Sequence, residues 1–353
     1  MTVSWLAGNR IKGTNADRLN TTGIGSTVGG WKELARTTLG SAGDVINMEN
    51  FSNKRYYMCL ASCLPSGVIG QRVRMGTTTI DTGANYADRY SINGGADSTA
   101  VNQAFVGGND IDEANPFFNV QYISNYSTKE KLSISHSILQ KTAGAGTAPS
   151  RYEITGKWTN TSNNMQSFGV YHTGTGDYAS GSEVVVLGYD PTDTHTTNFW
   201  EELASVNGDG TGGFSSGTFT AKKYLWVQMY VVPSASSYPS IRFNADGGAN
   251  YADRYSVNGG ADGTEVSQTF YFPSSSSPNP NFINMFIINN SANEKLITSH
   301  TNQRGTTGAG NASDRAESTG KWANTADQII SISVEPNSGN YSTTSIMKVW
   351  GSN

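Results

Sequence analysis

Apolar and polar residues alternate along much of the chain with the two-residue period of a β-strand. In the segment 132–138, Leu, Ile and His136 share one face and serines the other, which predicts a strand with its apolar face, His136 included, toward the core. Segments 223–232 and 282–288 carry large apolar residues on both faces, which predicts central strands. No amphipathic helix of three turns is found, so the pattern predicts an all-β protein.

Turn signals punctuate these strands at Asn93-Gly-Gly, at Asn258-Gly-Gly and at Asn207-Gly-Asp-Gly210. The composition agrees, since the chain contains 40 Gly and only 15% charged residues. Many short strands joined by turns fit a two-sheet β-sandwich of jelly-roll type, although pattern alone does not separate a sandwich from a barrel. We adopt the sandwich as the prediction.

A long internal repeat organises the chain. The segment Gly83–Asp97 reads GANYADRYSINGGAD, and Gly248–Asp262 differs from it only in having Val257 where the first copy has Ile92. Further matches extend in both directions, pairing Trp31 with Trp200, Glu130-Lys-Leu132 with Glu294-Lys-Leu296, His136 with His300, Gly144-Ala-Gly146 with Gly308-Ala-Gly310, and Gly156-Lys-Trp158 with Gly320-Lys-Trp322. Repeats this long indicate duplication of a whole domain. We therefore predict two tandem homologous sandwiches, at 31–190 and 200–353, joined by a linker at 191–199.

Residues 1–30 stand outside the repeat and are rich in Gly, Thr and Asn, which predicts an extended N-terminal arm. Trp5, Leu6 and Ile11 could pack this arm on a neighbouring subunit during assembly, or equally on an edge of the first sandwich.

Charge and targeting signals exclude several partners. The formal net charge is −4 with no basic run, so neither nucleic acid nor a membrane surface is an expected partner. No segment has the length of a membrane helix or the pattern of an export signal. Cys59 and Cys63 lie four residues apart, too far for a disulfide within one strand, and are expected to be small core residues.

Two short strings match enzyme motifs. Gly208–Gly213 satisfies GxGxxG and Gly213–Gly217 satisfies GxSxG, but neither is followed by the helix that those motifs require. Each occurs in only one copy of the repeat. We interpret both as flexible loops and predict no catalytic residues and no enzyme activity.

The repeated histidines and aspartates are the remaining candidates for metal chemistry. His136 and His300 are expected to be hydrogen-bonded core residues, since no second His or Cys is repeated nearby to complete a ligand set. The repeated aspartates could supply oxygen ligands for Ca²⁺, or could pair with an Arg and cap a turn; they are Asp81, Asp88 and Asp97 with Asp246, Asp253 and Asp262. We predict no cofactor, with Ca²⁺ as the lesser alternative.

The near-identical segments indicate a shared constraint, either a binding surface or a structural corner of Tyr hydroxyl, Arg and Asn-Gly turn, and we favour the corner. Its members are Asn85, Tyr86, Asp88, Arg89 and Asp97 in the first copy and Asn250, Tyr251, Asp253, Arg254 and Asp262 in the second. Trp158 and Trp322 could stack on sugar rings, although a repeated Trp in a strand is more commonly a core residue.

The segment GANYADRYSINGGAD, with the Glu-Lys-Leu, Gly-Ala-Gly, Gly-Lys-Trp and Trp-Lys-Glu-Leu motifs, resembles β-sandwich modules of structural proteins from marine tailed bacteriophages and related environmental viruses. The resemblance covers residues 31–353. It implies a virion protein, such as a tail fibre, an appendage or a capsid decoration, that is made in the host cytoplasm without a signal peptide and assembles with itself and other virion proteins.

The alternative function is a carbohydrate-binding or adhesion module on a viral or cell surface, with a host-surface glycan as partner. That module requires exposed aromatic residues beside polar groups, in both copies. A glycan-cleaving enzyme requires paired carboxylates in a cleft and is disfavoured.

Overall fold

Antiparallel β-strands form all the regular structure in the described part of the chain. The computed structural model describes residues 30–107, 112–191, 193, 198–272, 278–305 and 307–353, and the predicted arm residues Trp5, Leu6 and Ile11 lie outside them. Within those ranges no helix is long and apolar enough to cross a membrane.

In the described ranges, twenty-four strands follow one another, half of them in each copy of the repeat. The first copy contains β1 Lys32–Thr38, β2 Val45–Met48, β3 Tyr56–Cys63, β4 Ile69–Gly76, β5 Tyr86–Ile92, β6 Ser98–Gln103, β7 Asp112–Glu113, β8 Phe117–Ser124, β9 Lys131–Leu139, β10 Ser150–Trp158, β11 Ser167–Gly174 and β12 Glu183–Tyr189. The second contains β13 Glu201–Asn207, β14 Phe214–Ser215, β15 Tyr224–Val231, β16 Pro239–Phe243, β17 Tyr251–Val257, β18 Gly263–Ser267, β19 Phe270–Tyr271, β20 Asn281–Ile288, β21 Lys295–Gln303, β22 Asp314–Trp322, β23 Ile332–Pro336 and β24 Ile346–Ser352.

Each copy folds into an eight-stranded sheet and a four-stranded sheet with the same strand order. The first copy has the orders β1-β12-β3-β8-β9-β10-β5-β6 and β2-β11-β4-β7, and the second has β13-β24-β15-β20-β21-β22-β17-β18 and β14-β23-β16-β19. The predicted fold class, two tandem homologous β-sandwiches, is confirmed. We call the two sandwiches module one and module two.

Each module has an apolar core to which both of its sheets contribute. In module one, Tyr57 from the large sheet and Val170 from the small sheet belong to one buried cluster. Module two has an equivalent cluster that includes Val227 and Val334. Cys59 and Cys63 are buried free thiols, as predicted, and burial raises the pKa of both.

A third apolar cluster joins the modules through the outer faces of their large sheets. Module one contributes Met58, Leu60, Phe118 and Val120 from the side that faces away from its own core. Module two contributes Tyr224, Phe286, Ile288, Leu296 and Trp350, and Phe199 and Trp200 join them. This contact explains why the strands predicted to be central, now β15 and β20, carry apolar residues on both faces.

The predicted orientation of β9 is wrong. Its serines face inward, where Ser137 donates a hydrogen bond to Asn119 across 2.8 Å. Leu132 and Ile134 lie on the outer face and are 56% and 63% exposed. His136 is buried on that same outer face, and module two covers it instead of the core of module one.

Asn85 and Tyr86 of the near-identical segment form a hydrogen-bonded corner in module one. The predicted part of Arg89 in it is corrected, because Arg89 is exposed and pairs with Asp97 at 3.4 Å. The hydroxyl of Tyr86 accepts from the Met75 amide at 3.0 Å and lies 2.6 Å from the Met75 carbonyl, to which it donates. Asp81 accepts from the indole of Trp158 and from the side-chain amide of Asn85, each at 2.8 Å. Although partial burial opposes ionisation, these hydrogen bonds lower the pKa of Asp81.

Module two repeats the corner with Asn250, Tyr251, Asp246 and Trp322. The possible role of Trp158 and Trp322 in stacking on sugars is therefore corrected, because each indole is 1% exposed and its N–H is taken by an aspartate. Both predicted Asn-Gly turns are present, with φ of 52° at Asn93 and 53° at Asn258, each followed by a positive-φ glycine.

The substitution Tyr86→Phe is expected to lower the free energy of unfolding by about 1–3 kcal/mol, since it leaves the buried Met75 amide without its acceptor, whereas the Met75 carbonyl still accepts from the Asp81 amide. Thermal or denaturant unfolding measures the change. Tyr230→Phe is the control, since Tyr230 is exposed on β15 and its hydroxyl loss is expected to change stability by less than about 0.5 kcal/mol. Equal effects of the two substitutions would contradict this account of the corner.

Candidate functional site

A polar cleft of about 460 Å³ lies between the modules and is lined by equivalent residues from each. Module one provides Ser91, Gly94, Gly95, Arg151 and Glu153, and module two provides Ser256, Gly259, Gly260, Arg315 and Glu317, with Asp97 and His300 completing the lining. The apolar contact between the large sheets brings both copies of the Asn-Gly-Gly turn to this cleft. It is the strongest candidate for a functional site among the described residues.

Gly94 allows a close approach between the two modules at the cleft. A Cβ atom placed on it would lie 2.4 Å from Oδ1 of Asp262, and its φ of 68° is itself unfavourable for any other residue. Asp262 therefore reaches the Asn-Gly-Gly turn of module one because that turn has no side chain at this position.

Asp262 forms a buried ion pair with Arg151 across the modules. The carboxylate Oδ1 lies 2.6 Å from Nη2 of Arg151, and the two side chains are 2% and 4% exposed. Burial opposes charging of Arg151, but the hydrogen bond and charge of Asp262 raise its pKa. The equivalent Asp97 is 54% exposed and lies 3.4 Å from the exposed Arg89. The two equivalent aspartates thus differ: Asp262 is buried in the interface between the modules, whereas Asp97 is exposed to solvent.

A histidine from each module meets one glutamate at the edge of the cleft. Nε2 of His136 lies 3.1 Å from Oε1 of Glu153, and Nε2 of His300 lies 3.7 Å from Oε2 of the same carboxylate. The two imidazole rings are 4.4 Å apart between centroids. Nε2 of His136 has no partner in hydrogen-bonding geometry despite being buried.

The protonation states in this cluster follow from burial and charge. Burial lowers the pKa of His136 to about 3, so its imidazole is neutral at neutral pH. Burial acts against ionisation of Glu153, but the nearby His136, His300 and Arg151 lower its pKa to about 2. Two imidazoles and a carboxylate converge at this place.

Sequence reasoning missed this cluster because each copy was considered alone. The second histidine near His136 comes from the other copy, so the expectation that no further ligand lies nearby is wrong. One signal was available: His136 pairs with Glu153 in adjacent strands, and His300 pairs with Glu317 at the matching positions. An Arg two residues before each glutamate is repeated too, as Arg151 and Arg315.

The repeated Gly-Lys-Trp motif also differs between the copies. Lys321 is buried, lies 3.7 Å from Glu294 and donates to the carbonyls of Gln140 and Thr142 in module one. Its counterpart Lys157 is exposed and pairs with Glu130 at 2.9 Å. Module two thus uses this lysine in the interface, whereas the equivalent lysine of module one is left outside it.

The remaining predicted aspartates take part in other contacts. Asp88 accepts from the Gly107 amide at 2.8 Å, burial raises its pKa, and its counterpart Asp253 is fully buried. Arg254 donates to the Pro149 carbonyl of module one at 2.8 Å. In the described ranges, the triads with ligand atoms within 4.8 Å of one another are His136–Glu153–His300 and Asp44–His172–Asp177. Neither contains a repeated aspartate, and Ca²⁺ binding stays a prediction.

Comparison with protein families and with curated proteins finds no match. Among solved structures, domains LG4–5 of the mouse laminin α1 chain align over 92% of this chain and 90% of theirs, with 9% identity and a TM-score of 0.20. The LG1–3 region of the laminin α2 chain aligns over 87% of this chain and 68% of its own, with 8% identity and a TM-score of 0.21. Likenesses of this size carry no functional argument.

The substitution Asp262→Asn is expected to lower the free energy of unfolding by about 1.5–3 kcal/mol, since it removes the closer of the two carboxylates that pair with buried Arg151 and leaves only Glu153 at 3.2 Å. Asp97→Asn, at the equivalent exposed position, is the matched control and is expected to cost less than about 1 kcal/mol. Chemical denaturation of both variants makes the comparison. If the two cost the same, the ion pair does not hold the modules together.

Proposed function

We propose that the chain is a non-enzymatic structural subunit that assembles through the outer face of module one, and that it belongs to a virus particle. One observation carries the assembly part. Tyr56, Tyr122, Leu132 and Ile134 form an exposed strip on β3, β8 and β9, and each is between 37% and 63% exposed. We call these four residues the open strip.

The open strip continues the apolar interface between the modules. Met58, Tyr122 and Ile134 are neighbours in register across three strands, and Met58 already packs against module two. Contiguous apolar surface of this kind marks a binding site on soluble proteins. The strip is therefore a place where further protein surface would be buried.

The equivalent residues of module two indicate what binds the open strip. The positions equivalent to the open strip are Tyr224, Phe286, Leu296 and Thr298, and all four are buried, the first three in the cluster that binds module one. The same face of the same fold therefore already binds a sandwich in one copy. We infer that the open strip binds a further sandwich, supplied by a second copy of the chain.

The virion location rests on the resemblance of the repeated motifs to phage structural modules. It is supported by a duplicated sandwich with an unfilled interface, an arrangement suited to assembly by repeated contacts. Location of the gene beside capsid and tail genes, and presence of the chain in purified particles, would support it. A gene far from such neighbours and a chain absent from particles would contradict it.

Carbohydrate binding is the second candidate, and the exposed rings of Tyr56 and Tyr122 favour it. Aromatic faces beside polar groups are the usual contact surface for sugars. Because the equivalent residues of module two are buried, this site would exist in one copy only, which departs from the expected exposed aromatic residues in both copies. Glycan-array binding that is lost on Tyr122→Ala would support this candidate, and absence of any glycan bound would remove it.

The substitution Ile134→Lys is expected to weaken self-association by at least tenfold, about 1.4 kcal/mol, since it places a charge in the buried contact. Sedimentation or light scattering over a concentration series measures the change. Val68→Lys is the control, because Val68 is 50% exposed in module one but lies outside the strip. A chain that is monomeric at every concentration, or two variants with equal effects, would contradict assembly through the strip.

A further inference from the structure

Three side chains from the two modules converge at the cleft with the composition of a transition-metal site. His136 and Glu153 come from β9 and β10 of module one, and His300 comes from β21 of module two. One ligand atom from each lies within 4.8 Å of the other two. Two imidazoles and a carboxylate are a common ligand set for Zn²⁺ in proteins.

The distances from the two imidazoles to the carboxylate are close to those of a metal site. Ligands bound to Zn²⁺ at about 2.0–2.1 Å with tetrahedral angles lie roughly 3.3–3.4 Å from one another. Nε2 of His136 lies 3.1 Å from Oε1 of Glu153, and Nε2 of His300 lies 3.7 Å from Oε2 of the same carboxylate, on either side of that value. The ligand atoms of all three side chains lie within 4.8 Å of one another, so they must draw somewhat closer to bind one ion.

The buried nitrogen of His136 is an independent indication of a ligand. His136 is 6% exposed, and its Nε2 lacks a hydrogen-bond partner. A buried polar atom without a partner is uncommon and needs an explanation, of which an absent ion is one. A metal ion between the three side chains would accept this lone pair.

Two arginines line the cleft beside the three side chains, and each is paired with a carboxylate. Nη1 of Arg151 lies 3.2 Å from Oε1 of Glu153, and its Nη2 lies 2.6 Å from Asp262. Arg315 is likewise paired with Glu317 at 2.6 Å.

We propose that His136, Glu153 and His300 form a site for a divalent transition metal ion of the Zn²⁺ class, which joins module one to module two. Imidazole nitrogens favour such ions over Ca²⁺ and Mg²⁺, which prefer oxygen ligands. The half-exposed His300 and the adjoining cleft give the ion a path from solvent. Three protein ligands would leave a fourth coordination position for water or an added ligand.

The test is titration of the full chain, stripped of metal with a chelator, with Zn²⁺ by calorimetry. We expect one ion per chain and a higher melting temperature in its presence. Co²⁺ in place of Zn²⁺ is expected to give the visible absorption of a four-coordinate site. No Zn²⁺ binding, or no rise in the melting temperature when Zn²⁺ binds, would overturn the proposal.

Substitutions of the proposed ligands test whether the ion binds at this site. His300→Ala and Glu153→Gln are expected to weaken Zn²⁺ binding by more than about 100-fold, since loss of a mere outer-shell partner of a metal ligand costs 10–100-fold. His172→Ala is the control, because His172 belongs to the separate Asp44–His172–Asp177 triad within module one. Binding that survives the first two variants, or is lost only in the control, would overturn the assignment.

An NMR titration of the unsubstituted chain tests the same site if the variants fail to fold. The chain contains four histidines, so their imidazole signals can be resolved by NMR. One equivalent of Zn²⁺ is expected to shift the signals of two rings, and a nuclear Overhauser contact between those rings identifies them as the adjacent His136 and His300. A shift of one ring only, or of two rings without mutual contact, would overturn the proposal.

Discussion

Apolar packing between the outer faces of the two eight-stranded sheets is the interaction on which the rest of the molecule depends. In an isolated sandwich those faces would be exposed to water and would carry polar residues. Here Leu60, Phe118, Phe286 and Trp350 occupy them and are buried against one another. Each fully buried side chain of this kind contributes about 1.5–3 kcal/mol, which is large against a typical folding stability of about 5–15 kcal/mol. A large apolar contact of this type holds two domains in one orientation.

The polar cleft exists because of that packing. Once the sheets meet, the two Asn-Gly-Gly turns, the two Arg-x-Glu pairs and the two histidines come to lie beside one another. The copies then diverge in how the same residues are used, as Asp262 and Asp97 show, one buried in an ion pair and the other exposed. The chemistry of the cleft thus belongs to the pair of modules and is absent from either one alone.

Much of the fold could be predicted from the sequence, since its signals are local. The Asn-Gly turns fix positive-φ positions, the period of two marks strands, and the repeat itself gives the duplicated sandwich. The orientation of β9 could not be predicted, because alternation shows that two faces differ without showing which one faces the core. A serine can face inward when a buried neighbour accepts its hydroxyl, as Asn119 does for Ser137, and this reverses the usual assignment.

The candidate site was harder to predict for a different reason. The approach of His136 to His300 depends on contacts between residues more than a hundred positions apart, and no local pattern encodes them. The repeat did contain a clue, because a His and an Arg-x-Glu pair recur at matched positions in both copies. These repeated residues predict a site only when it is known that the modules pack through the sheet faces on which the residues lie.

Calorimetric unfolding of the intact chain tests most directly whether the two modules form one body through their large sheets. The account predicts a single cooperative transition whose calorimetric and van't Hoff enthalpies agree, since neither module can unfold without exposing the shared apolar cluster. Two separate transitions, each with the enthalpy of a single sandwich, would show that the modules unfold independently and would contradict the account.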